Sequence, residues 1–409
     1  MERRRILLIV FDGLADRPVT ELGHKTPLEA ALKPTLDWFA TNGANGLLDP
    51  IAPGIRPGSD TSHLALFGYD PLEVYTGRGP FEAAGVGIPV ERGDVAFRCN
   101  FVTVDDDLTV VDRRAGRIRE GTAELEKALD GIKLGRVKAF FRAGTEHRGA
   151  LVLRGKGLSP KVSDTDPHEH GVKVEDAKPL EPKAKATAKA VNAFTKEAYK
   201  RLKDHPVNRE RVARGEMPAN LVVCRGAGIF PDIEPVPQRY KLKAAGIAGV
   251  ALIRGMFRAV GMDVLDVEGA TGGLDTDMVA KAEAALQALR TYDLVIVNVK
   301  APDLCGHDGK ASEKIKIVER IDQMMAHVKA KLPPDVILAL TADHATPCAL
   351  MDHSGDPVPL TIFGEGVLVD AVSHYDERSV AAGLLGRIRG RDLMPILLSL
   401  SNRAEKFGA

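Results

Sequence analysis

The hydrophobic positions of the chain form continuous apolar runs that alternate with amphipathic stretches. A strand that is covered on both faces shows no polar alternation, so a continuous apolar run predicts a buried strand. Five such runs are Ile6–Phe11, Leu221–Cys224, Leu294–Val299, Val336–Thr341 and Val358–Phe363. Helical periodicity occupies Leu242–Val260, Asp277–Leu289 and Ser312–Lys331. Strands that alternate with helices predict an α/β fold in which helices flank a mostly parallel sheet.

The middle of the chain has a different pattern. Short strand-like runs with glycine turns lie at Phe101–Val104, Thr109–Val111 and Ala150–Arg154. The Lys-rich stretch 173–216 follows, and its segment Ala184–Leu202 predicts a solvated helix. We therefore expect residues 94–219 to form a smaller α+β domain, inserted into a discontinuous α/β domain made of residues 1–93 and 220–409.

Length and charge narrow the classes of function. A chain of 409 residues is too long for one ordinary core, which supports two domains. Its 56 basic and 56 acidic residues balance, and this balance argues against non-specific binding to nucleic acid or to membranes. An anionic ligand would therefore need a local cluster of Arg and Lys.

Cysteine use and the length of the apolar runs point to the cytoplasm. No apolar run reaches the length of a membrane span or of a signal sequence. The four cysteines lie far apart without a CxxC motif, so neither a disulfide framework nor a thiolate zinc site is expected. Asn and Gln are scarce while charged residues are abundant, which is typical of thermophile proteins. A homo-oligomer is compatible with the sequence, which does not determine the oligomeric state.

Acidic and imidazole side chains recur next to the predicted strands. In an open parallel sheet, functional groups collect beyond the carboxyl ends of the strands. The residues concerned are Asp12 after the first strand, Asp303 and His307 after the third, Asp343 and His344 after the fourth, and His353 before the last. Taken singly, each has an ordinary explanation as a turn, a helix cap or a surface histidine. Their joint placement at one edge of one sheet predicts a functional site.

The number and type of these groups predict a site for two divalent metal ions. Six ligands exceed what one ion with open positions requires, and mixed Asp and His ligation favours Mn²⁺, Zn²⁺ or Co²⁺ over Ca²⁺. Two ions can hold both the attacking and the leaving oxygen of a phosphoryl transfer. Ser59, expected as the N-cap of a short helix at Leu64–Phe67, is the candidate nucleophile. A helix N-terminus suits a phosphate, and a metal ion lowers the pKa of a hydroxyl.

Nine segments, in order along the chain, carry a resemblance to a known family. They are Val10–Pro18, Pro57–Ala65, Gly68–Pro71, Tyr75–Ala83, Arg98–Phe101, Asp112–Arg117, Lys300–His307, Thr341–His344 and His353–Pro359. In these segments the chain resembles the 2,3-bisphosphoglycerate-independent phosphoglycerate mutases of archaeal type, which belong to the alkaline phosphatase superfamily. The resemblance spans essentially the whole chain. It implies an alkaline-phosphatase-like α/β domain and an inserted domain that closes over the substrate.

The resemblance also implies roles for individual residues. The ligands of one metal ion correspond to Asp12, Ser59, Asp343 and His344, and those of the other to Asp303, His307 and His353. Ser59 further corresponds to the residue that is transiently phosphorylated. Candidates for substrate binding are Arg78, Arg113, Arg114, Arg117, Arg225 and, as a parallel to a catalytic lysine, Lys243. For any one of these basic residues a surface ion pair is an equally good explanation.

The implied reaction interconverts 3-phosphoglycerate and 2-phosphoglycerate through a phosphoserine, without free 2,3-bisphosphoglycerate. Mn²⁺ is the favoured ion, with Mg²⁺, Co²⁺ and Zn²⁺ as alternatives. A metal-dependent phosphatase or another phosphotransferase of the superfamily, for example a homoserine kinase-like enzyme, is the alternative function. The chain lacks a GxxxxGK[ST] motif, which argues against an ATP-dependent kinase. A non-catalytic metal-stabilised scaffold is a third hypothesis, and the intact Ser59 argues against it.

Overall fold

A computed structural model describes residues 2–406 and 408, and the chain divides into two compact units. Unit 1 combines the residues up to Val74 with those from Ile233 onward, and unit 2 comprises Tyr75–Asp232. In chain order, the strands of the described residues are β1 (Arg5–Phe11), β2 (Ala44–Asp49), β3 (Val95–Val104), β4 (Val110–Asp112), β5 (Lys133–Leu134), β6 (Val137–Ala143), β7 (Arg148–Arg154), β8 (Leu221–Gly228), β9 (Ala244–Ile247), β10 (Asp263–Val264), β11 (Leu294–Val299), β12 (Val336–Thr341), β13 (Val358–Phe363) and β14 (Gly386–Arg389).

The described helices vary from single turns to a rod of five to six turns. They are α1 (Pro27–Ala30), α2 (Pro34–Thr41), α3 (Ser59–Leu66), α4 (Pro71–Val74), α5 (Gly79–Gly85), α6 (Thr122–Leu129), α7 (Lys185–Leu202), α8 (Pro206–Ala213), α9 (Val236–Arg239), α10 (Ala251–Ala259), α11 (Met278–Ala288), α12 (Ala301–His307), α13 (Ala311–Lys331) and α14 (Gly390–Leu400). Short 3₁₀ turns lie at Thr20–Leu22, Ala115–Arg117, Pro182–Ala184 and Val380–Ala382. None of the described helices combines the length and the apolar character that a bilayer crossing requires.

Unit 1 is built on an eight-stranded sheet with the strand order β10-β9-β11-β1-β12-β13-β2-β14. β1 pairs in parallel with both β11 and β12, and β11 pairs in parallel with β9. Every residue of β11 and β12 is buried, as their continuous apolar runs predict. The α/β architecture with a mostly parallel sheet is thus confirmed.

Amphipathic helices cover this sheet, and two of them show why the periodicity predicts them well. α13 buries Ile317, Ile321 and Val328, whose spacing of four and seven residues places them on one face. Asp277 caps α11, because its side chain accepts a hydrogen bond of 2.8 Å from the Ala280 N–H. Both helices therefore begin and end within a residue or two of the predicted bounds.

Several chain segments leave the sheet of unit 1 at the same edge. The carboxyl ends of β1, β11 and β12 meet there, since these strands are parallel. β13 runs antiparallel to β12, so the connection between them, residues 342–357, stays at this edge. β2 runs antiparallel to β13 and therefore also ends there, before the loop that leads to α3. The loops that carry the candidate metal ligands consequently converge.

Two predicted elements differ from the structure. The helix expected over Leu242–Val260 divides into the strand β9 and the helix α10, because four small or apolar residues pair with β11. So short a strand is indistinguishable from a helical turn by periodicity alone. The strand predicted at Leu221–Cys224 forms as β8 but pairs with β3 of unit 2 instead of joining the main sheet. An apolar run indicates burial and leaves the pairing partner undetermined.

Unit 2 is built on an antiparallel sheet around β3, which pairs with β4, β7 and β8. One face packs against α6 and α7, where the ring of Phe141 lies 5.5 Å from that of Phe101 and 6.0 Å from that of Phe194. α5 packs on a second small core that includes Ala96 and Val152. The helix predicted at Ala184–Leu202 forms as α7, but only one side of it is solvated, because Val191, Phe194 and Leu202 lie in the core.

Candidate metal centre and arginine cluster

Three buried carboxylates meet at the carboxyl edge of the unit 1 sheet. Asp12 follows β1, Asp343 follows β12, and Asp303 lies in the first turn of α12, and each is at most 2% exposed. Ligand atoms of Asp12, Asp343 and His344 lie within 4.8 Å of one another, as do those of Asp303, His344 and His353. His344 belongs to both groups, so the two groups are neighbours.

The imidazoles of His353 and His307 present the same ring atom to Asp303. His353 Nδ1 lies 2.8 Å from the carbonyl oxygen of Pro57, and His307 Nδ1 lies 3.0 Å from that of Met351, so both Nδ1 atoms donate. Their Nε2 atoms lie 3.5 Å and 3.4 Å from Asp303 Oδ1. A histidine that donates from Nδ1 to a carbonyl keeps a lone pair on Nε2, which is the form that ligates metals.

A hydrogen-bonded chain orients His344. Thr346 Oγ1 lies 2.7 Å from Asp303 Oδ1 and 3.1 Å from His344 Nδ1. Because a carboxylate only accepts, the threonine hydroxyl donates to Asp303 and accepts from the Nδ1–H of His344. His344 Nε2 is left as an acceptor, 3.6 Å from Asp12 Oδ1 and 3.3 Å from Asp343 Oδ2. Burial lowers the pKa of His344 well below its ordinary value, so the ring is neutral.

Ser59 is the first residue of α3, and Gly58, not Ser59 as the sequence predicts, takes the N-cap position. The backbone of Gly58 is extended, and its N–H donates to Thr61 Oγ1 at 3.0 Å, so Thr61 supplies the polar contact at this helix end. The Ser59 hydroxyl is therefore not used for capping. Its Oγ lies 3.0 Å from His344 Nε2, which brings the predicted nucleophile to the two His/Asp groups.

Lys300 joins the two groups through their carboxylates. It follows β11 directly, and its Nζ lies 2.7 Å from Asp12 Oδ1 and 2.7 Å from Asp303 Oδ2. Burial alone would lower the pKa of Lys300, but the charges of Asp12, Asp303 and Asp343 raise it above its ordinary value. The ammonium group is therefore charged at neutral pH.

The charge balance of the site suits divalent cations. Burial and the like charges of Asp12 and Asp303 raise the pKa of Asp343 well above its ordinary value. Within the described residues, the buried Oδ2 of Asp343 has no hydrogen-bond partner. A divalent cation would offset this repulsion and bind the free lone pairs. The donor set of three carboxylates and three imidazole Nε2 atoms fits Mn²⁺, Co²⁺ or Zn²⁺ better than Ca²⁺.

A second layer of buried polar groups holds Asp12 and α3 in place. Asn298 Nδ2 donates to Asp12 Oδ2 at 3.0 Å, and the backbone carbonyl of Asn298 accepts from Lys281 Nζ at 3.3 Å. His63 Nδ1 lies 2.7 Å from the carbonyl oxygen of Ser59. The three supporting side chains are completely buried, and nothing in their local sequence predicts that role.

Unit 2 carries a cluster of mutually repelling arginines, which we call the arginine cluster. Its members are Arg78, Arg98, Arg113, Arg148 and Arg225. Glu82 pairs with Arg78 at 2.8 Å, and Asp166 pairs with Arg113 at 3.0 Å. The buried Nε atoms of Arg98, Arg113 and Arg225 have no hydrogen-bond partner among the residues the structure describes. Burial and repulsion from Arg78 lower the pKa of Arg98 to about 9. Glu82 and Asp166 also lie 3.6 Å from Arg98 and 3.7 Å from Arg225, so two carboxylates face five arginines. This excess of positive charge, with buried Nε atoms that lack a hydrogen bond, suits an anionic ligand.

The remaining residues predicted to bind substrate are not members of this cluster, although burial and the charges of Arg148, Arg114 and Arg98 together lower the pKa of His147. Arg114 and Arg117 are exposed, and Arg117 lines a separate groove with Arg211. Lys243 precedes β9 and therefore lies at the amino end of the parallel strands, opposite the candidate metal centre. Its N–H donates there to Asp293 Oδ2 at 2.8 Å. The lysine that the fold brings to the candidate metal centre is Lys300.

Comparison with known proteins decides the family. A family profile described as 2,3-bisphosphoglycerate-independent phosphoglycerate mutase matches residues 40–208. The chain is 50% identical over 409 residues to 2,3-bisphosphoglycerate-independent phosphoglycerate mutase 1 of Methanothermobacter thermautotrophicus, covering 98% of this chain and 99% of that protein. The chain belongs to this mutase family. The mutase is also 50% identical over 413 residues to phosphoglycerate mutase 1 of Methanocaldococcus jannaschii, with 100% of both chains covered.

Solved structures of similar proteins share the fold of this mutase. The PH0037 protein from Pyrococcus horikoshii is 40% identical, with a TM-score of 0.88 and 100% of both chains covered. The cofactor-independent phosphoglycerate mutase from Thermoplasma acidophilum is 39% identical, with a TM-score of 0.73, and the match covers 97% of this chain and 100% of that one. The resemblance predicted from the sequence segments is thus confirmed over the whole chain.

Two basic residues of the mutase lie in the family-like segments without having been predicted as site residues. Lys300 stands three residues before Asp303, a spacing that places both side chains together at the start of α12. Arg98 begins the segment Arg98–Phe101 and pairs in register with Arg225. The position of Lys300 directly after a buried strand is a sequence signal for a site residue. Arg98 has no such local signal, because its register partner Arg225 lies far along the chain.

Proposed function

We propose that this mutase interconverts 3-phosphoglycerate and 2-phosphoglycerate by transient phosphorylation of Ser59 at a site for two divalent cations. The observation that carries the proposal is the position of Ser59 Oγ, 3.0 Å from the imidazole that the two His/Asp groups share. Family membership supplies the overall activity, which is that of a 2,3-bisphosphoglycerate-independent phosphoglycerate mutase, an isomerase.

The candidate ligands divide between two cations. One cation would be held by Asp12, Ser59, Asp343 and His344, and the other by Asp303, His307 and His353. Cations bound there would stabilise the negative charge of the transferred phosphoryl group and lower the pKa of the serine hydroxyl. Mn²⁺ is the proposed ion, because mixed imidazole and carboxylate ligation suits it better than Mg²⁺, and Co²⁺ and Zn²⁺ are the alternatives.

The side chains of unit 1 orient the reacting groups. Ser59 loses its hydroxyl proton as its Oγ attacks phosphorus, the bond from phosphorus to the substrate oxygen breaks, and that oxygen takes up a proton as glycerate forms. The N–H groups at the start of α3 favour the phosphoryl oxygens. Return of the phosphoryl group to the other hydroxyl of glycerate completes the isomerisation. Lys300 supplies a fixed positive charge between Asp12 and Asp303 during both transfers.

The arginine cluster is proposed to bind the anionic groups of phosphoglycerate. Carboxylate and phosphate accept paired hydrogen bonds from a guanidinium group, which makes arginine suited to both. Arg98, Arg113 and Arg225 contribute buried Nε donors, and Arg78 adds charge nearby. Arg114 and Arg117 are exposed, so they have weaker support as substrate ligands.

Hydrolysis, or transfer to another acceptor, is the alternative chemistry for the same ligand set. The metal ligands alone do not separate a mutase from a phosphatase or from a homoserine kinase-like transferase, because all three need the same phosphoryl-transfer centre. The full-length similarity to proteins named as mutases favours the mutase.

A coupled assay through enolase tests the proposed reaction. Conversion of 3-phosphoglycerate is followed with Mn²⁺ and without 2,3-bisphosphoglycerate, next to a chelator-treated sample and a parallel assay for free phosphate. We expect metal-dependent formation of 2-phosphoglycerate with little free phosphate. Free phosphate without 2-phosphoglycerate would show a phosphatase and overturn the proposal.

A matched pair of variants tests the covalent route. Ser62 lies one turn after Ser59 in the same helix, and its hydroxyl donates to the Gly58 carbonyl oxygen at 2.9 Å. Ser59→Ala should abolish turnover, while Ser62→Ala should retain most of it. Stabilisation of Ser59→Ala by Mn²⁺ in a thermal melt distinguishes a lost nucleophile from a lost metal site. More than a trace of mutase activity in Ser59→Ala would contradict the phosphoserine.

A further inference from the structure

Two of the four cysteines face each other across neighbouring strands of unit 2. Cys99 on β3 and Cys224 on β8 are register partners, and their Sγ atoms lie 3.5 Å apart. Both are free thiols in the hydrophobic core, exposed by 0% and 1%. Far apart in sequence, they are brought together only by the pairing of β3 with β8.

The backbone around this pair suits a covalent cross-link. The Cys224 N–H donates to Thr165 Oγ1 at 2.8 Å, and the Cys224 carbonyl accepts from the Thr165 N–H at 2.9 Å. The N–H and C=O of one strand residue point to the same side, so Cys224 directs both away from Cys99. The two cysteines therefore form a non-hydrogen-bonded pair, in which the Cα atoms lie about 4.5 Å apart, a separation that disulfides span.

We propose that Cys99 and Cys224 form a disulfide when the chain folds in the presence of a small-molecule disulfide. One cysteine thiolate attacks the oxidant, forms a mixed disulfide and releases one small thiol. The second cysteine thiolate attacks the protein sulfur of that mixed disulfide and releases the other small thiol. The two protein thiols lose two electrons and two protons in total, and the oxidant becomes two thiols.

The position of the pair gives the cross-link a structural effect. β3 is the first strand of unit 2 and β8 the last, so the disulfide would close a loop that contains most of the unit. Closing a long loop restricts the unfolded chain and so stabilises the folded one. The cross-link would also fix the neighbouring register pair, Arg98 and Arg225, on the opposite face of the strands.

Timing decides whether the reaction occurs. Burial, together with the contact to Cys224, raises the pKa of Cys99 well above its ordinary value, so little thiolate exists once the unit has folded. Oxidation is therefore expected during refolding and is expected to be slow in the folded protein. Cys305 and Cys348 of unit 1 provide an internal comparison, since Cys348 Sγ approaches the backbone carbonyl of Cys305.

Refolding in glutathione redox buffers tests the proposal. Reduced, unfolded protein is refolded at increasing ratios of oxidised to reduced glutathione, free thiols are alkylated in denaturant, and cross-linked peptides are identified by mass spectrometry. We expect the Cys99–Cys224 peptide pair to predominate and to disappear in Cys99→Ser. The oxidised protein should melt roughly 5 °C or more above the reduced protein.

A double variant keeps the test decisive if Cys99→Ser does not fold. Cys305→Ala combined with Cys348→Ala leaves Cys99 and Cys224 as the only thiols, and it should form the same cross-link within one chain. Four alkylated thiols in the wild type or two in the double variant at the most oxidising ratio, or wild-type cross-links spread over all cysteine pairs, would overturn the proposal.

Discussion

Replacing Lys300 with methionine tests how the candidate metal centre balances its charges. Lys300 Nζ pairs with Asp12 and with Asp303 at 2.7 Å each, and the buried Asp343 adds a third carboxylate. Methionine keeps much of the side-chain length and removes the charge. Removing one partner of a buried ion pair costs about 3–5 kcal/mol, because the other charge is left unpaired.

We expect metal-free Lys300→Met to lose about 3–5 kcal/mol of unfolding free energy, which lowers its melting temperature by roughly 6–20 °C. The Lys300 side chain is 17% exposed, so solvent screening favours the lower half of that range. Divalent cations neutralise the same carboxylates, and the loss should shrink once they are bound. The rise in melting temperature on adding metal must therefore be larger in Lys300→Met than in the wild type.

Thermal melts with a chelator and with saturating Mn²⁺ measure this difference. Arg403→Met is the matched control, because Arg403 Nη2 pairs with Asp293 at 2.6 Å and its Nε donates to the Arg4 carbonyl oxygen, at the opposite end of the parallel strands from the candidate metal centre. It should lose stability by the same amount with and without metal. A metal-induced rise in Lys300→Met that is equal to or smaller than that of the wild type would refute the idea that Lys300 and the cations compensate the same carboxylates.

Three further predictions concern residues that are not candidate metal ligands. Thr346→Val, which removes the hydroxyl between Asp303 and His344, should weaken Mn²⁺ binding by about 10–100-fold in a calorimetric titration. Burial raises the pKa of Glu377 from 4.5 to about 7. The contribution of the protonated carboxyl to folding stability is therefore full below pH 4.5 and is lost as the pH rises through about 7. Glu377→Gln should therefore gain melting temperature relative to the wild type across that window, and a constant difference would contradict this. Arg225→Met should raise the KM for phosphoglycerate by roughly 10–100-fold, whereas the exposed Arg136→Met should not.

The central strands of unit 1 could be predicted because burial on both faces leaves a continuous apolar run. β1, β11, β12 and β13 show that signal. β9 and β14 could not be found in this way, since each has four residues and contains glycine. Their strand conformation depends on pairing with β11 and β2, which local periodicity does not encode.

The candidate metal centre was predictable to the extent that its residues follow strands. Asp12 and Asp343 could be placed at one edge from topology alone. Lys300 follows a predicted strand and so carries the same signal, whereas the position of Lys243 at the amino end of the sheet depends on β9, a strand that periodicity does not predict. Thr346 acquires its role only through the hydrogen bonds that the folded loop allows.

Phosphopeptide mapping of the enzyme during turnover is the direct test for a phosphoserine at Ser59. The mutase is mixed with 3-phosphoglycerate and Mn²⁺, quenched in acid while 2-phosphoglycerate is forming, digested, and analysed by mass spectrometry. We expect phosphate on Ser59, and no phosphate in the chelator-treated enzyme or in Ser59→Ala. Rapid turnover without phosphate on Ser59, or with phosphate on another residue, would contradict it.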